Sequence, residues 1–457
     1  MQTHSFLTAI DRGQMRWARS GALLKGFKVG LALVGLSAGV GAFAQQGLQY
    51  GPFTLNAFAK VEGERTSNYA ENIQLNPTAT KDQQWGDQLV PGTRYGTEPT
   101  NVWLFQPWLG AKFDVGGGFK VSAMLSQRWR GGTGVAGTAD VPGFIYEENV
   151  AVSHEEYGRL AVGKMVTRGW SVADYPYGTL VGLANQWAQS GAGYGLLTKA
   201  VRYTTRPLDV FGGDLVLEAT YDEGNTAFRI HKPRFLEIYG QYHSGGLVID
   251  AIAQDTRNGN PQAWGHGPFT GLTPFPRDDS KIGGAGQGMV MVMARYDLDA
   301  HWQVSGGLRS NRWSGANAVI TVVGPPSQWN DMFNVDWGGT KDGVANPGYS
   351  ATSTDGYAAL RYRLNQWSAW VATQFLGKAS TSNPSERGQN NWANFSTAGV
   401  QYEFGRGLTA YGGIGLVHYG RLGPSPMSMP TNSAFTGVDS RVSQNGNWVL
   451  VGLLYVL

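Results

Sequence analysis

The sequence contains no cysteine, so no disulfide framework can hold its fold together. Charged residues make up only 15% of the 457 positions. Beyond residue 44 there is also no apolar run long enough for a membrane-spanning helix, which needs about 20 residues. The chain is instead rich in glycine, with 66 residues, and in aromatic side chains, at 12%. This composition favours a large all-β protein, either secreted or inserted in an outer membrane.

The N-terminal region has the features of a secretory signal peptide. Several basic residues precede the short apolar run 29–40, and an Ala-x-Ala sequence ends at Ala44. An uncleaved anchor helix is the alternative, but the run is short and interrupted by glycine. We therefore expect residues 1–44 to be removed and residues 45–457 to form a single domain. The leader holds five of the 36 basic residues and one of the 33 acidic ones, so the remainder carries a net charge of −1. That balance gives no reason to expect nucleic acid as a partner.

Apolar and polar residues alternate over stretches of about ten residues. In residues 301–312, Trp302, Val304 and Leu308 fall on one face, whereas Gln303 and Arg309 fall on the other. Residues 53–62 and 119–130 show the same period of two. Alternation of this length is typical of the strands of a transmembrane barrel. A soluble sandwich would alternate too, but with shorter strands and more even connections.

The connections decide between the two. Sixteen strands are predicted, at 53–62, 101–115, 119–130, 144–154, 158–166, 197–206, 214–222, 235–243, 247–256, 287–297, 301–312, 355–363, 367–377, 393–404, 408–419 and 447–457. Eight long connections alternate strictly with seven short ones, so all the tight turns lie at one end. Short turns at one end and long loops at the other are typical of outer-membrane barrels. We therefore predict an all-β fold, a sixteen-stranded antiparallel barrel.

The long connection at 167–196 lies between the strand segments LAVGKM and KAVRYTT. It is rich in glycine and aromatic residues and nearly free of charge. This strand–loop–strand arrangement resembles the middle of a Gram-negative outer-membrane porin of the sixteen-stranded, trimeric general-diffusion type. The resemblance implies that this third external loop folds into the barrel and narrows it. It also implies a homotrimer in contact with outer-membrane lipids and lipopolysaccharide, which passes small hydrophilic solutes and ions without any cofactor.

A constriction needs charges that face water, because the low-dielectric walls of a channel focus the electric field. By parity, Lys60, Arg128, Arg130 and Arg202 face away from the apolar side and into the lumen. Lys164, by contrast, falls on the same face of its strand as its apolar neighbours, which is the outer face of the barrel. A bulge at the preceding glycine would turn it inward, and the porin resemblance implies a basic residue at this place. We predict all five as constriction cations, with Lys164 as a rim residue in the alternative.

The loop side of the constriction is expected to be aromatic and to carry little charge. We predict that Trp170, Tyr175, Tyr177 and Trp187 line it, together with Asp174, the only acidic residue in 167–196. Asp174 could equally be a turn residue before Tyr-Pro. Porin constrictions often carry more acids, so this set indicates a mild preference for anions or an aromatic path for a particular solute.

The sequence motifs that would indicate an enzyme are either incomplete or misplaced. The one G-x-S-x-G sequence, 35–39, lies inside the predicted leader. His154 lacks the second histidine of a zinc protease motif. We therefore expect no catalytic site, no metal and no cofactor. The function predicted is passive diffusion, with mild anion preference. A solute-selective porin for sugars or carboxylates remains open, and less so a barrel enzyme or a secreted β-rich binding protein.

Overall fold

The computed structural model describes the residues 47–67, 100–132, 145–183, 187–188, 192–193, 195–224, 226–258, 285–315, 319–320, 327–328, 340–341, 344–345, 349–378, 380–382, 387–388, 390, 392–420 and 445–457. The predicted signal peptide lies outside this range. Among the described residues, no helix is both long and apolar enough to cross a membrane.

Sixteen antiparallel strands form one closed wall. In chain order, β1 to β16 are Phe53–Ser67, Thr100–Gly116, Phe119–Ser126, Glu147–His154, Gly158–Val166, Leu196–Thr204, Gly213–Asp222, Arg234–Ser244, Leu247–Arg257, Ala285–Asp297, Trp302–Gly315, Tyr349–Leu364, Trp367–Leu376, Ala393–Gly405, Leu408–Tyr419 and Asn445–Val456. The barrel closes where β1 pairs with β16, from Phe58 opposite Val456 to Ser67 opposite Asn447. The predicted fold class is therefore confirmed.

Short additional strands accompany the wall. Leu48–Tyr50 pairs with the start of β1, Trp129–Gly131 extends β3, Leu208–Val210 pairs with β7, and Ser380–Thr381 pairs with β12. Two small hairpins, Val319–Ile320 with Ser327–Gln328 and Thr340–Lys341 with Val344–Ala345, lie in the connection after β11.

The largest differences from the predicted strand boundaries are at β1, β3 and β12. β1 runs on to Ser67 instead of ending at residue 62. β3 is interrupted at Gln127 and Arg128 instead of running without a break to residue 130. β12 begins at Tyr349 instead of residue 355, and Tyr349 pairs with Gly315 of β11. Residues 350–354 are small and, apart from Ala351, polar, so the alternation of apolar and polar residues that marks a strand is weak there.

The two faces of the wall differ in polarity. Along β13 the inward residues Ser368, Trp370 and Gln374 are buried, while Val371 and Phe375 are exposed on the outside. Large apolar residues are exposed in the same way around the barrel, among them Val61, Phe105, Leu109, Val150, Leu160, Val201, Leu217, Ile238, Val290, Leu308, Val400, Ile414, Val451 and Leu453. An apolar outer band over a polar interior is the arrangement that a membrane barrel requires.

Candidate constriction inside the barrel

The chain between β5 and β6, residues 167–195, turns into the barrel; we call it the inserted segment. It begins with the short α-helix Arg168–Val172, whose N-cap, Thr167, accepts a hydrogen bond from the backbone N–H of Trp170. A π-helical turn, Ala173–Gly178, and a 3-10 turn, Thr179–Val181, follow. Thr397 of β14 donates to the carbonyl of Val181 at 2.6 Å. Because β14 lies far around the wall from β5, the segment crosses the interior.

The start of the inserted segment is bound by two carboxylates of the wall. Glu237 of β8 accepts hydrogen bonds from the backbone N–H groups of Arg168 and Gly169, each at 2.9 Å. The Arg168 guanidinium forms a bidentate pair with Glu218 of β7, at 2.7 and 2.9 Å. Arg202 of β6 lies 3.2 Å from the same carboxylate. Charge-assisted bonds of this kind are about twice as strong as neutral ones, so this end is tightly positioned.

Further along, the segment is bound by apolar packing. Trp187 is fully buried, its ring centroid lies 4.7 Å from that of Tyr357, and its indole N–H points to the sulfur of Met293 at 3.2 Å. Gly307 of β11 lies beneath this contact. A Cβ atom there would come within 2.9 Å of both the Trp187 and Tyr357 rings, so the indole needs a glycine at this position.

Arg309 ties the same region to the wall. Its guanidinium donates to the Trp187 carbonyl at 2.7 Å, stacks over the Trp187 ring at 4.7 Å and pairs with Asp355 of β12 at 2.8 Å. Asn311 accepts a hydrogen bond from the backbone N–H of Ala192 at 3.0 Å. The inserted segment is therefore bonded to the wall on several strands.

The middle of the segment meets a single buried acid. Asp250 of β9 accepts hydrogen bonds from the hydroxyl groups of Tyr177 and Tyr239, both at 2.6 Å, and from the amide of Gln241 at 2.8 Å. Tyr177 is thereby directed to the wall and is 1% exposed. It belongs to the segment's attachment to the barrel.

Two of the predicted cations lie against the inserted segment. The Arg128 guanidinium stacks over the rings of Tyr146 and Trp170, at 4.3 and 5.5 Å, and donates to Gln106 at 2.8 Å. Arg202 donates to the carbonyl of Val166, the last residue of β5, at 2.7 Å. The structure thus brings Arg128, Arg202 and Trp170 to the place where the segment leaves the wall.

Two more of the predicted cations, Lys60 and Arg130, share one row of the barrel wall. Lys60 of β1 points inward and forms an ion pair of 2.6 Å with Glu62. Arg130 is placed in the same row of the sheet, since both residues pair with Leu104 of β2, but its side chain lies outside the described part of the structure.

Lys164 has a different surrounding. The register shift between Gly163 and Met165 confirms the predicted bulge. Even so, Lys164 remains opposite Glu148 of β4 and its ammonium group donates to the carbonyl of Ile145. The structure does not group it with Arg128 and Arg202, and its role in the constriction stays a prediction.

Of the predicted loop residues, Trp170, Tyr177 and Trp187 are buried in the attachment just described, and Tyr175 packs partly against the same cluster. Asp174 is 3% exposed and accepts a hydrogen bond from the Thr179 hydroxyl at 2.8 Å, within the segment itself. This contact fits the turn role that the sequence left open for it.

The sequence prediction missed several residues of the site. Glu218 and Glu237 bind the start of the inserted segment, a role that the sequence analysis did not assign to them. Arg168 and Arg309 were not singled out. The alternation along β7 and β8 does indicate that both glutamates lie on the inner face, in neighbouring rows of the sheet. Parity alone, however, gives the face of a residue and not its depth. No cluster of possible metal ligands occurs among the described residues.

Comparison with solved structures matches this architecture. An anion-selective porin from Comamonas acidovorans superposes with a TM-score of 0.52 and 12% identity, over 89% of this chain and 99% of that one. OmpF of Salmonella typhi, in complex with daunomycin, gives 0.53 and 12%, over 90% and 100%. The chain has the porin fold. The outer-membrane channel DcaP of Acinetobacter baumannii gives a TM-score of 0.51 at 11% identity, over 90% and 99%.

The match to the porin fold rests on structure. No protein-family model matches the sequence. No curated protein matches it either. At identities of 11–12%, the likeness is one of fold, and the roles of residues in the site follow from this chain's own contacts.

Proposed function

We propose that this porin-fold protein forms a water-filled channel in the bacterial outer membrane and admits small hydrophilic solutes by passive diffusion. The observation that carries the proposal is the inserted segment, bonded across the interior of a barrel whose outer band is apolar. A segment that crosses the lumen and is held on several strands narrows a passage without moving parts. This arrangement suits a channel better than an enzyme.

A mild preference for anions is the second part of the proposal. The inner face of β2, β3 and β5 carries Lys112, Lys120 and Arg159 near the short-turn end, where the charges of Lys120 and Arg159 both act on Lys112. Arg128 and Lys60 lie on the same side of the interior. Cations that line a low-dielectric passage concentrate anions in it. Glu62, Glu64 and Glu147 oppose this effect in part.

A solute-selective channel, for sugars or carboxylates, is the second candidate. It is favoured by the aromatic surfaces beside the cations, namely Trp170 under Arg128 and the partly buried Tyr175. Flat apolar rings next to a fixed guanidinium can bind the face and the charged group of one solute together.

The assembly that we propose is a homotrimer in contact with outer-membrane lipids and lipopolysaccharide, exported with the help of residues 1–44. One of the solved structures with this fold, OmpT of Vibrio cholerae, is described as a trimer form. Crosslinking of the detergent-extracted protein tests the trimer: a ladder that stops at three copies supports it, and a monomer alone contradicts it.

Recording from single channels in planar bilayers tests the main proposal. Purified protein should produce stable conductance steps, and a KCl gradient should give a reversal potential of anion-selective sign. Arg128→Glu should move that potential toward cation selectivity. Absence of conductance from correctly folded, heat-modifiable protein would overturn the channel. Cation selectivity of the wild type would overturn only the anion preference.

A further inference from the structure

Three arginines face the barrel interior near the short-turn end of β10 and β12, on the side opposite Arg128. Arg295 lies on β10, and Arg361 and Arg363 lie on β12. We call this group the arginine recess. None of the three was singled out by the sequence prediction, and none forms a hydrogen bond to the described residues of the inserted segment.

Arg361 is only 2% exposed, and its charge is not matched by a bonded acid. It donates to the hydroxyl of Ser368 at 3.0 Å, while its Nε atom has no hydrogen-bond partner. Among the described residues, no carboxylate lies within ion-pair distance of it. A buried guanidinium without a counter-charge is costly, and a buried donor without a partner calls for a ligand or water.

The neighbouring arginines share this feature. The Nε atoms of Arg295 and Arg363 are also buried without a hydrogen-bond partner. Arg363 pairs with Asp297 at 2.7 Å, whereas the hydrogen bond of Arg361 goes to the neutral Ser368 hydroxyl. In the described part of the chain, the three guanidinium groups therefore share a single direct ion pair.

Two small side chains lie between Arg295 and Arg361 on the inner face of the wall. Ser305 of β11 pairs with Arg295, and Ala359 of β12 pairs with Ser305. Strand spacing puts the Cα atoms of Arg295 and Arg361 about 12 Å apart, which long side chains on both sides can bridge to one small ligand. Tyr175 of the inserted segment acts electrostatically on Arg361, so the recess borders the segment.

We propose that the arginine recess binds the oxyanion group of a passing solute, a carboxylate or a phosphate, on the short-turn side of the inserted segment. The planar, forked guanidinium of Arg361 matches two oxygens of such a group. Arg295 and Arg363 add charge from the two flanks. This inference rests on the proposed channel and deepens it, because it names the class of solute that would pause in the passage.

Channel block tests the recess. In planar bilayers, inorganic phosphate or succinate is added to a chloride-conducting channel, and the half-blocking concentration of each is measured from either side. Wild type should show saturable block, and Arg361→Gln should raise the half-blocking concentration at least tenfold. Arg361→Lys, which keeps the charge but loses the fork, should fall between them. The stronger of the two blockers identifies the oxyanion that the recess prefers.

Arg312→Gln is the matched control, because Arg312 lies on β11 with its side chain exposed on the outer face and should leave block unchanged. Where Arg361→Gln fails to fold, as judged by heat-modifiable migration, the half-buried Arg295→Gln replaces it. Unblocked wild-type channels, or block that is equal in wild type and the recess variants, would overturn the inference. Wild-type protein that does not conduct at all would instead overturn the proposed channel.

Discussion

At its start the inserted segment is bound to the wall by the carboxylates of Glu218 and Glu237, whereas further along it is bound by the indole ring of Trp187. Both contacts are fully inside the barrel. The first is directional, because each carboxylate oxygen accepts from a defined N–H group. The second is set by shape, since it depends on Gly307 leaving room for the ring.

The glutamate contacts determine where the inserted segment lies, whereas the Trp187 contact fills space between the segment and the wall. A bidentate arginine–carboxylate pair permits only one orientation of the two planes. An aromatic ring in an apolar site contributes mainly through the area it removes from water. We therefore expect loss of the first contact to displace the start of the segment, and loss of the second to leave a cavity beneath a segment that is still attached.

The largest effect is expected from Glu218→Ala. Removal of this acid leaves Arg168 and Arg202 buried without their shared counter-charge, a change that costs about 3–5 kcal/mol in buried pairs. The variant should unfold at a clearly lower temperature in a heat-modifiability assay on gels and should give larger, noisier conductance steps. Glu223→Ala, an exposed position just beyond the same strand, is the control. Equal unfolding temperatures for the two variants would contradict a holding role for Glu218.

Trp187→Ala should come next. Loss of a fully buried indole costs about 3–5 kcal/mol where the site cannot collapse, but here Arg309 can still bind the backbone carbonyl of residue 187. We expect a lower unfolding temperature with a smaller change in conductance than Glu218→Ala gives. Trp187→Phe retains most of the apolar volume and should lie close to wild type. A conductance change larger than that of Glu218→Ala would reverse the comparison.

The smallest effect is expected from Thr397→Val, which keeps the shape of the side chain and removes one hydrogen bond to the Val181 carbonyl. Such a loss costs about 1 kcal/mol. Open-channel current noise should rise slightly while the mean conductance and the unfolding temperature stay near wild type. Thr373→Val, at an exposed position of β13 next to the residue that pairs with Thr397, serves as the control. A fall in stability as large as that of Trp187→Ala would show that this bond does more than secure the end of the 3-10 turn.

Much of the wall could be predicted from the sequence because its signals are local. Alternation along β13 and β11 assigns each side chain to a face, and glycine or asparagine in tight turns marks the strand ends; Asn365, for example, has a φ of 53° in the turn after β12. The bulge at Gly163 was visible for the same reason. Where side chains were small and polar, as at the start of β12, the local signal failed.

The candidate site was predictable only in part. Trp170 and Arg128 were named, but the binding partners of Arg168 were not, because Glu218 lies on another strand at a depth that parity does not give. The sequence by itself determined the number of strands, their order and which face each residue presents, since those follow from the period of two and from turn residues. Only the tertiary structure decided which inward charges meet, because barrel closure and the path of the inserted segment bring together residues far apart in the chain.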